Sequence, residues 1–165
     1  MKKNIMKKVF IFDLDDTLFD TTNQLDITYK NLEKIIIFDG VIDLLEKIKR
    51  KGHDLYLVSC GDVSIQKKKI AVLKIADFFE KIFVVDTPYE KEEVFAEIVS
   101  KNNFLDLKNF FVIGDRLDSE IFFANKLGLK SVRVKQGKRH SQSPTNPLEI
   151  PDVEIKSISD LVIYV

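Results

Sequence analysis

The chain has 165 residues, 45% of them hydrophobic, and its 26 lysines and arginines balance its 26 aspartates and glutamates, so its formal net charge is zero. That balance supplies no basic field to recruit nucleic acid or an anionic membrane, and neither partner is expected. The single cysteine, Cys60, excludes an intramolecular disulfide and any multi-thiolate zinc site, and no run approaches the ~20 apolar residues of a membrane span.

The N-terminal "MKKNIMKKVFIFDLDD" sets lysines ahead of an apolar run that is too short for the h-region of a signal peptide, so a cytoplasmic protein is expected. Val9 to Phe12 reads as a buried strand, which breaks into Asp13, Asp15 and Asp16. Desolvating one carboxylate is costly and crowding like charges costs more, so a cation is expected to compensate. In "TNQLDITYKNLEKII" (22–36), Leu25, Tyr29, Leu32 and Ile36 recur at near-helical spacing. Asp39 reads as the N-cap of the next helix, which Gly52 closes. His53 reads as a surface residue at the turn into a second strand, "DLYLVS" (54–59), and Cys60 as a small buried residue.

Asp62 caps a helix running to Leu73, whose "QKKKI" (66–70) reads as a solvated face. "KIFVVD" (81–86) is a third strand, followed by a helix from about 90 to Lys101 and a fourth strand, "NFFVIGD" (109–115). Asp118 or Ser119 caps "EIFFANKL", with Phe122 and Phe123 in the core, and "SVRV" (131–134) is a fifth strand. The polar stretch from about 136 to 152 reads as a loop, with His140, Lys135, Lys138 and Arg139 solvated on it, and "VEIKSISDLVIYV" as a short strand and turn.

Short apolar strands alternating with helices imply βαβ units. The fold class is therefore α/β: a three-layer, doubly wound (Rossmann-like) parallel sheet of about five strands with helices on both faces. One domain over 1–165 is expected, with room at about 20–38 for a short helical or cap-like insert. In such a sheet ligands bind outside the carboxyl ends of the strands, where strand order reverses. Asp13 and Asp15 end the first strand, Ser59 the second and Asp115 the fourth, and Lys91 follows the third, so all converge on one edge.

The chemistry these groups suit is phosphoryl transfer to a carboxylate. Mg²⁺ takes oxygen ligands, commonly one or two carboxylates plus substrate phosphate, which Asp13 and Asp115 could supply. A carboxylate can also be the nucleophile and form an aspartyl-phosphate. Ser59 and the amides of Cys60 and Gly61 are candidate cradles for phosphate oxygens, Lys91 a point cation, and Asp15 a general acid and then base. Arg116 either reaches a substrate phosphate or pairs with a nearby carboxylate.

"DLDDTLF" (13–19) resembles the first motif, D-x-D-x-T, of the haloacid dehalogenase (HAD)-like hydrolases. "FDGVIDLLEKIKRKGHDLYLVSCG" is similar to the helix and second-motif strand of that family, "KEEVFAEIV" to its lysine motif, and "FFVIGDRLDSEIFFANKLGLKSVRV" to its fourth motif. The resemblance implies Asp13 as nucleophile, Asp15 as acid/base and as a metal ligand through its carbonyl, and Asp115 as a direct metal ligand. Glu120 falls at the second acidic position of the metal site, and Asp118 competes for it. Because the second aspartate of the first motif is absent from the dehalogenase branch, Asp15 points to the phosphatase branch. The spacing leaves no room for an inserted domain, which implies a cap-less or minimal-cap member. An open site of that kind suits a bulky or macromolecular phosphoester, or one completed by a partner subunit in a homo-oligomer.

The expected function is a Mg²⁺-dependent phosphomonoester hydrolase working through an aspartyl-phosphate. The alternatives are a phospho-accepting, receiver-like signalling domain and a non-catalytic phosphate-binding module. Asp15 separates the first two, since a receiver needs no acid/base beside its phosphoacceptor.

Overall fold

The computed structural model describes residues 6–165, so the first five residues of the lysine-led segment lie outside the described residues. Strand β1 (Val9–Phe12) is buried on both faces and alternates between two cores. Phe10 and Phe12 point into one core, and Val9 and Ile11 into the other. Full burial of such side chains is worth about 1.5–3 kcal/mol each, which is why this strand carries no polar residue until its end.

Around β1 run β2 (Asp54–Cys60), β3 (Lys81–Val85), β4 (Phe110–Gly114), β5 (Lys130–Val134) and β6 (Val153–Ile155). All neighbours are parallel and the order is β3-β2-β1-β4-β5-β6. The sheet therefore has six strands rather than five, since the short run expected near the end pairs in parallel with β5. Helices α2 (Val41–Arg50) and α3 (Val63–Leu73) send Leu44, Leu45, Ile48, Ile70 and Leu73 into the first core. Helices α4 (Lys91–Lys101) and α5 (Phe122–Lys126) send Phe95, Ile98 and Phe123 into the second, with Phe122 half-buried against it. Helices thus cover both faces. No helix among the described residues is long and apolar enough to cross a membrane.

Several local expectations are corrected. The stretch 22–36 is not a helix. It holds one short turn, α1 (Thr21–Gln24), and a 3₁₀ turn at Leu32–Lys34. Tyr29 there has a left-handed backbone, with Ile27 and Ile36 exposed. The apolar spacing has no continuous surface to pack on, so tertiary context overrides it. The N-cap of α2 is Gly40, not Asp39. His53 is buried, its Nδ1 accepting from the Lys8 amide at 3.2 Å. Cys60 is half-buried. Neither Asp118 nor Ser119 caps a helix, because Leu117–Ile121 is a single π-type turn. The stretch 136–152 contains two 3₁₀ turns and a buried glutamate, Glu149.

Candidate active site

Strand order reverses at β1, between β2 and β4, and that is where the charged residues gather. Phe12 pairs in register with Ile113, and the Asp13 amide donates to the Ile113 carbonyl at 2.9 Å. Asp13 and Asp115 thereby emerge side by side. Lys91 opens α4 and reaches back to Asp13 Oδ1 at 2.7 Å and to Glu120, although it is only 2% exposed. The other lysine near β3, Lys81, pairs with Glu97 on the surface.

The π-type turn explains how Glu120 enters. The Ile121 amide donates to the Arg116 carbonyl, five residues back, and this wide turn brings Glu120 inward. Its carboxylate accepts from the Arg116 amide at 3.2 Å and from Ser119 Oγ at 3.1 Å. A Cβ at Gly114 would fall onto the Glu120 side chain, so any larger residue there would have to push Glu120 aside. Asp118 points away and is held by the Arg116 guanidinium at 3.0 Å, so of the two acids only Glu120 joins the cluster, and Arg116 is spent on a neighbour.

Asp13, Asp115 and Glu120 offer one oxygen each within 4.8 Å of one another, all buried. Glu120 has donors on both oxygens, but Asp115 Oδ2 has no hydrogen-bond partner, and Arg139 approaches it only to 3.7 Å. Burial pushes the Asp13 carboxyl up to about 7; Glu120 and Asp15 push the same way and Lys91 pulls it down. Burial pushes Asp115 up to about 8, reinforced by Glu120 and Asp13. Burial alone would lower the Lys91 ammonium, but Asp13 and Glu120 outweigh it and hold it above its usual range. Three carboxylates against one ammonium, with a buried oxygen left over, is a donor set for a hard cation such as Mg²⁺.

Asp15 sits higher and is part-exposed. It accepts from Thr21 Oγ1 at 2.7 Å and Gln66 Nε2 at 2.8 Å, and pairs with Lys69 at 2.6 Å. Gln66 and Lys69 are buried, which corrects the reading of 66–70 as a solvated face. The sequence held a signal for this: counted from the Asp62 cap, 66 and 69 fall four and seven positions on, the helix face turned to the sheet edge. Ser59 is buried beside the Gln66 amide. The Gly61 amide, expected to face phosphate, instead donates to the Val85 carbonyl at 2.9 Å, because the β2–β3 ladder continues one step past the strand. The Cys60 thiol is raised by burial. Thr17, the threonine of the D-x-D-x-T run, donates its Oγ1 hydrogen to Asp13 Oδ2 at 3.4 Å. Asp16, the third carboxylate after the first strand, stays out of the buried acidic cluster, and its carboxylate accepts from the Thr22 amide at 2.9 Å and Oγ1 at 2.7 Å.

Asp13, Asp15, Asp16, Gln66, Lys69, Lys91, Asp115 and Glu120 line a cleft of about 420 Å³, whose lining also includes Leu25, Ile27, Tyr29, Lys138 and Arg139. The constellation can attack, protonate and bind an anion around one point.

The sequence profile of the haloacid dehalogenase-like hydrolases matches residues 24–134. The glyceraldehyde 3-phosphate phosphatase of Methanopyrus kandleri is 30% identical over 130 residues, covering 76% of this chain and 54% of that protein. The HAD-hydrolase YfnB of Bacillus subtilis is 27% identical over 128 residues, 76% of this chain and 52% of that protein. The chain thus spans about half the length of these curated relatives. Among solved structures, magnesium-bound YfnB superposes with a TM-score of 0.73 at 19% identity, over 96% of this chain and 98% of that one. A dehalogenase solved with an intermediate complex superposes with a TM-score of 0.75 at 11% identity, over 96% and 97%. At those identities the likeness is one of fold.

Proposed function

The chain belongs to the haloacid dehalogenase-like hydrolases, and from that membership we propose that it is a magnesium-dependent phosphomonoester hydrolase working through a phosphorylated Asp13. The observation that carries this reading is the buried Asp13 carboxylate between Lys91 and the unpartnered Asp115 oxygen, with a second aspartate, Asp15, two positions on. The relatives named glyceraldehyde 3-phosphate phosphatase support the phosphate-ester class.

Asp13 attacks phosphorus, and the bond to the leaving oxygen breaks as Asp15 gives that oxygen a proton. Asp15 then takes a proton from a water molecule whose oxygen attacks the aspartyl-phosphate, releasing phosphate and restoring Asp13. Lys91 and Ser59 hold the phosphoryl oxygens. Asp13, Asp115, Glu120 and the Asp15 carbonyl are the oxygens that would hold Mg²⁺. When bound it supplies charge to offset repulsion between carboxylate and phosphate. Glu120, whose oxygens already have donors, also fixes Lys91 in place. The short stretch 20–38 serves as a minimal cap, with Leu25, Ile27 and Tyr29 as its inner rim.

The test is phosphate release from an aryl phosphate with Mg²⁺. Asp13→Asn is expected to lose turnover by at least about a thousandfold while the fold persists by circular dichroism. Asp15→Asn should leave a phosphorylated protein that mass spectrometry detects. Full turnover by Asp13→Asn would remove the mechanism.

A further inference from the structure

We infer that Lys138 and Arg139 bind a second anionic group, carried on the leaving portion of the substrate; this rests on the phosphatase reading above. The argument is a census of the charges that line the cleft. Asp16 is satisfied by Thr22, Asp26 by the Thr28 amide and hydroxyl at 2.8 and 2.6 Å, and Asp62 by Ser64 and the Ile65 amide at 2.7 and 3.0 Å. Among the cations, Lys69 faces Asp15, Lys91 faces Asp13 and Arg116 faces Asp118. Arg139 is loosely paired, 3.7 Å from Asp115, and Lys138 has no carboxylate within ion-pair distance among the described residues. Outside the metal-binding acids, the charged side chains at the mouth whose hydrogen-bonding capacity is still free are therefore cations.

The loop that carries these two residues is built into place. Gly137 has a φ of +66°, and a Cβ there would collide with the Asp16 carboxylate, so the backbone runs directly over that group. The Lys138 amide donates to Thr22 Oγ1 at 3.2 Å, and Thr22 Oγ1 donates on to Asp16. On the other flank Arg133, 1% exposed, donates through Nη2 to the Arg139 carbonyl at 2.8 Å and through Nη1 to Glu154 at 3.0 Å. A buried arginine that holds the Arg139 carbonyl fixes the backbone from which these side chains start. Binding an anion there costs the ordering of two side chains and not of a loop. A carboxylate and a second phosphate offer the same oxygens to such a pair.

The experiment measures kcat/KM with Mg²⁺ for three esters: a phosphorylated 2-hydroxy acid, its size-matched neutral alcohol phosphate, and a diol bisphosphate. The wild type is expected to prefer at least one anionic ester over the neutral one, and whichever is preferred identifies the group. That preference ratio should fall about tenfold in Lys138→Gln, the worth of one charge-assisted hydrogen bond, and be kept in Lys138→Arg. Hydrolysis of all three without charge preference, or a ratio unmoved by Lys138→Gln, overturns this inference alone. No phosphate release from any of the three overturns the phosphatase reading and this inference with it.

Discussion

Glu149 and Asp115 are both carboxylates buried outside the strands, 8% and 2% exposed, yet their surroundings are opposite. Glu149 accepts from the Thr145 amide and hydroxyl at 2.6 and 2.9 Å on one oxygen and from Asn146 Nδ2 at 2.9 Å on the other. Asp115 has one oxygen with no donor and stands against two more acids. Burial alone therefore does not mark a functional acid. A carboxylate that serves only its own loop is saturated by that loop, whereas one left short of donors is held for something that arrives later.

The largest effect that would break this contrast lies at Asp115. If its missing partner is a cation, Mg²⁺ stabilises the wild type, by about 2.7 kcal/mol at a hundredfold excess over Kd, read as a rise in Tm. Asp115→Asn should lose that rise and cut phosphate release at least about a hundredfold, while its metal-free form melts no lower than the wild type because a strained charge is gone. An equal Mg²⁺ shift in both proteins would show that Asp115 is not the ligand. Gly114→Ala probes the same acids from behind. A methyl there meets the Glu120 side chain, so we expect about 1–3 kcal/mol of destabilisation in denaturant melts and reduced turnover, as Glu120 drags Lys91 with it.

The two regions also differ in how far the sequence exposed them. The acids at the strand ends were legible because a polar residue after a fully apolar strand has few structural explanations, and the parallel fold sends every such end to one edge. Gln66 and Lys69 were not, since a run of lysines on a helix resembles a solvated face until the helix is docked against Asp15. The Gly61 amide was misread because the sequence does not say where a strand ladder stops. Glu149 was hidden in a polar, proline-rich stretch whose hydrogen bonds are all local. The stretch at 22–36 kept helical spacing without a surface to justify it.

Glu149→Gln sharpens the contrast from the saturated side. It keeps the shape but replaces an acceptor by an amide donor among donors, so a loss of about 1–2 kcal/mol is expected in thermal or chemical unfolding. Phosphate release and the Mg²⁺ response of Tm should be unchanged. A matching loss of turnover would mean that the loop, like the site, is part of the reaction.

The smallest effect comes from His53, a buried group away from the site whose Nδ1 has its own local donor, and it has the opposite sign to the site. Burial lowers its pKa, with Lys8 and Lys51 adding repulsion, and its Nδ1 must stay unprotonated to accept the Lys8 amide. The folded state therefore binds fewer protons than the unfolded chain, and stability falls as pH drops below about 6.5, the ordinary histidine value, toward the lowered folded value. Asp13 and Asp115 are raised instead, so without metal they cost stability as pH climbs from about 4 toward their values of about 7 and 8. Melting curves of metal-free wild type and His53→Gln between pH 5 and 8 separate the two, because the glutamine oxygen can still accept from Lys8 without titrating. The difference between the proteins should be confined to the acid side and vanish above pH 7. A difference that persists at pH 8 would mean that His53 acts by packing against Phe10 and not through its proton.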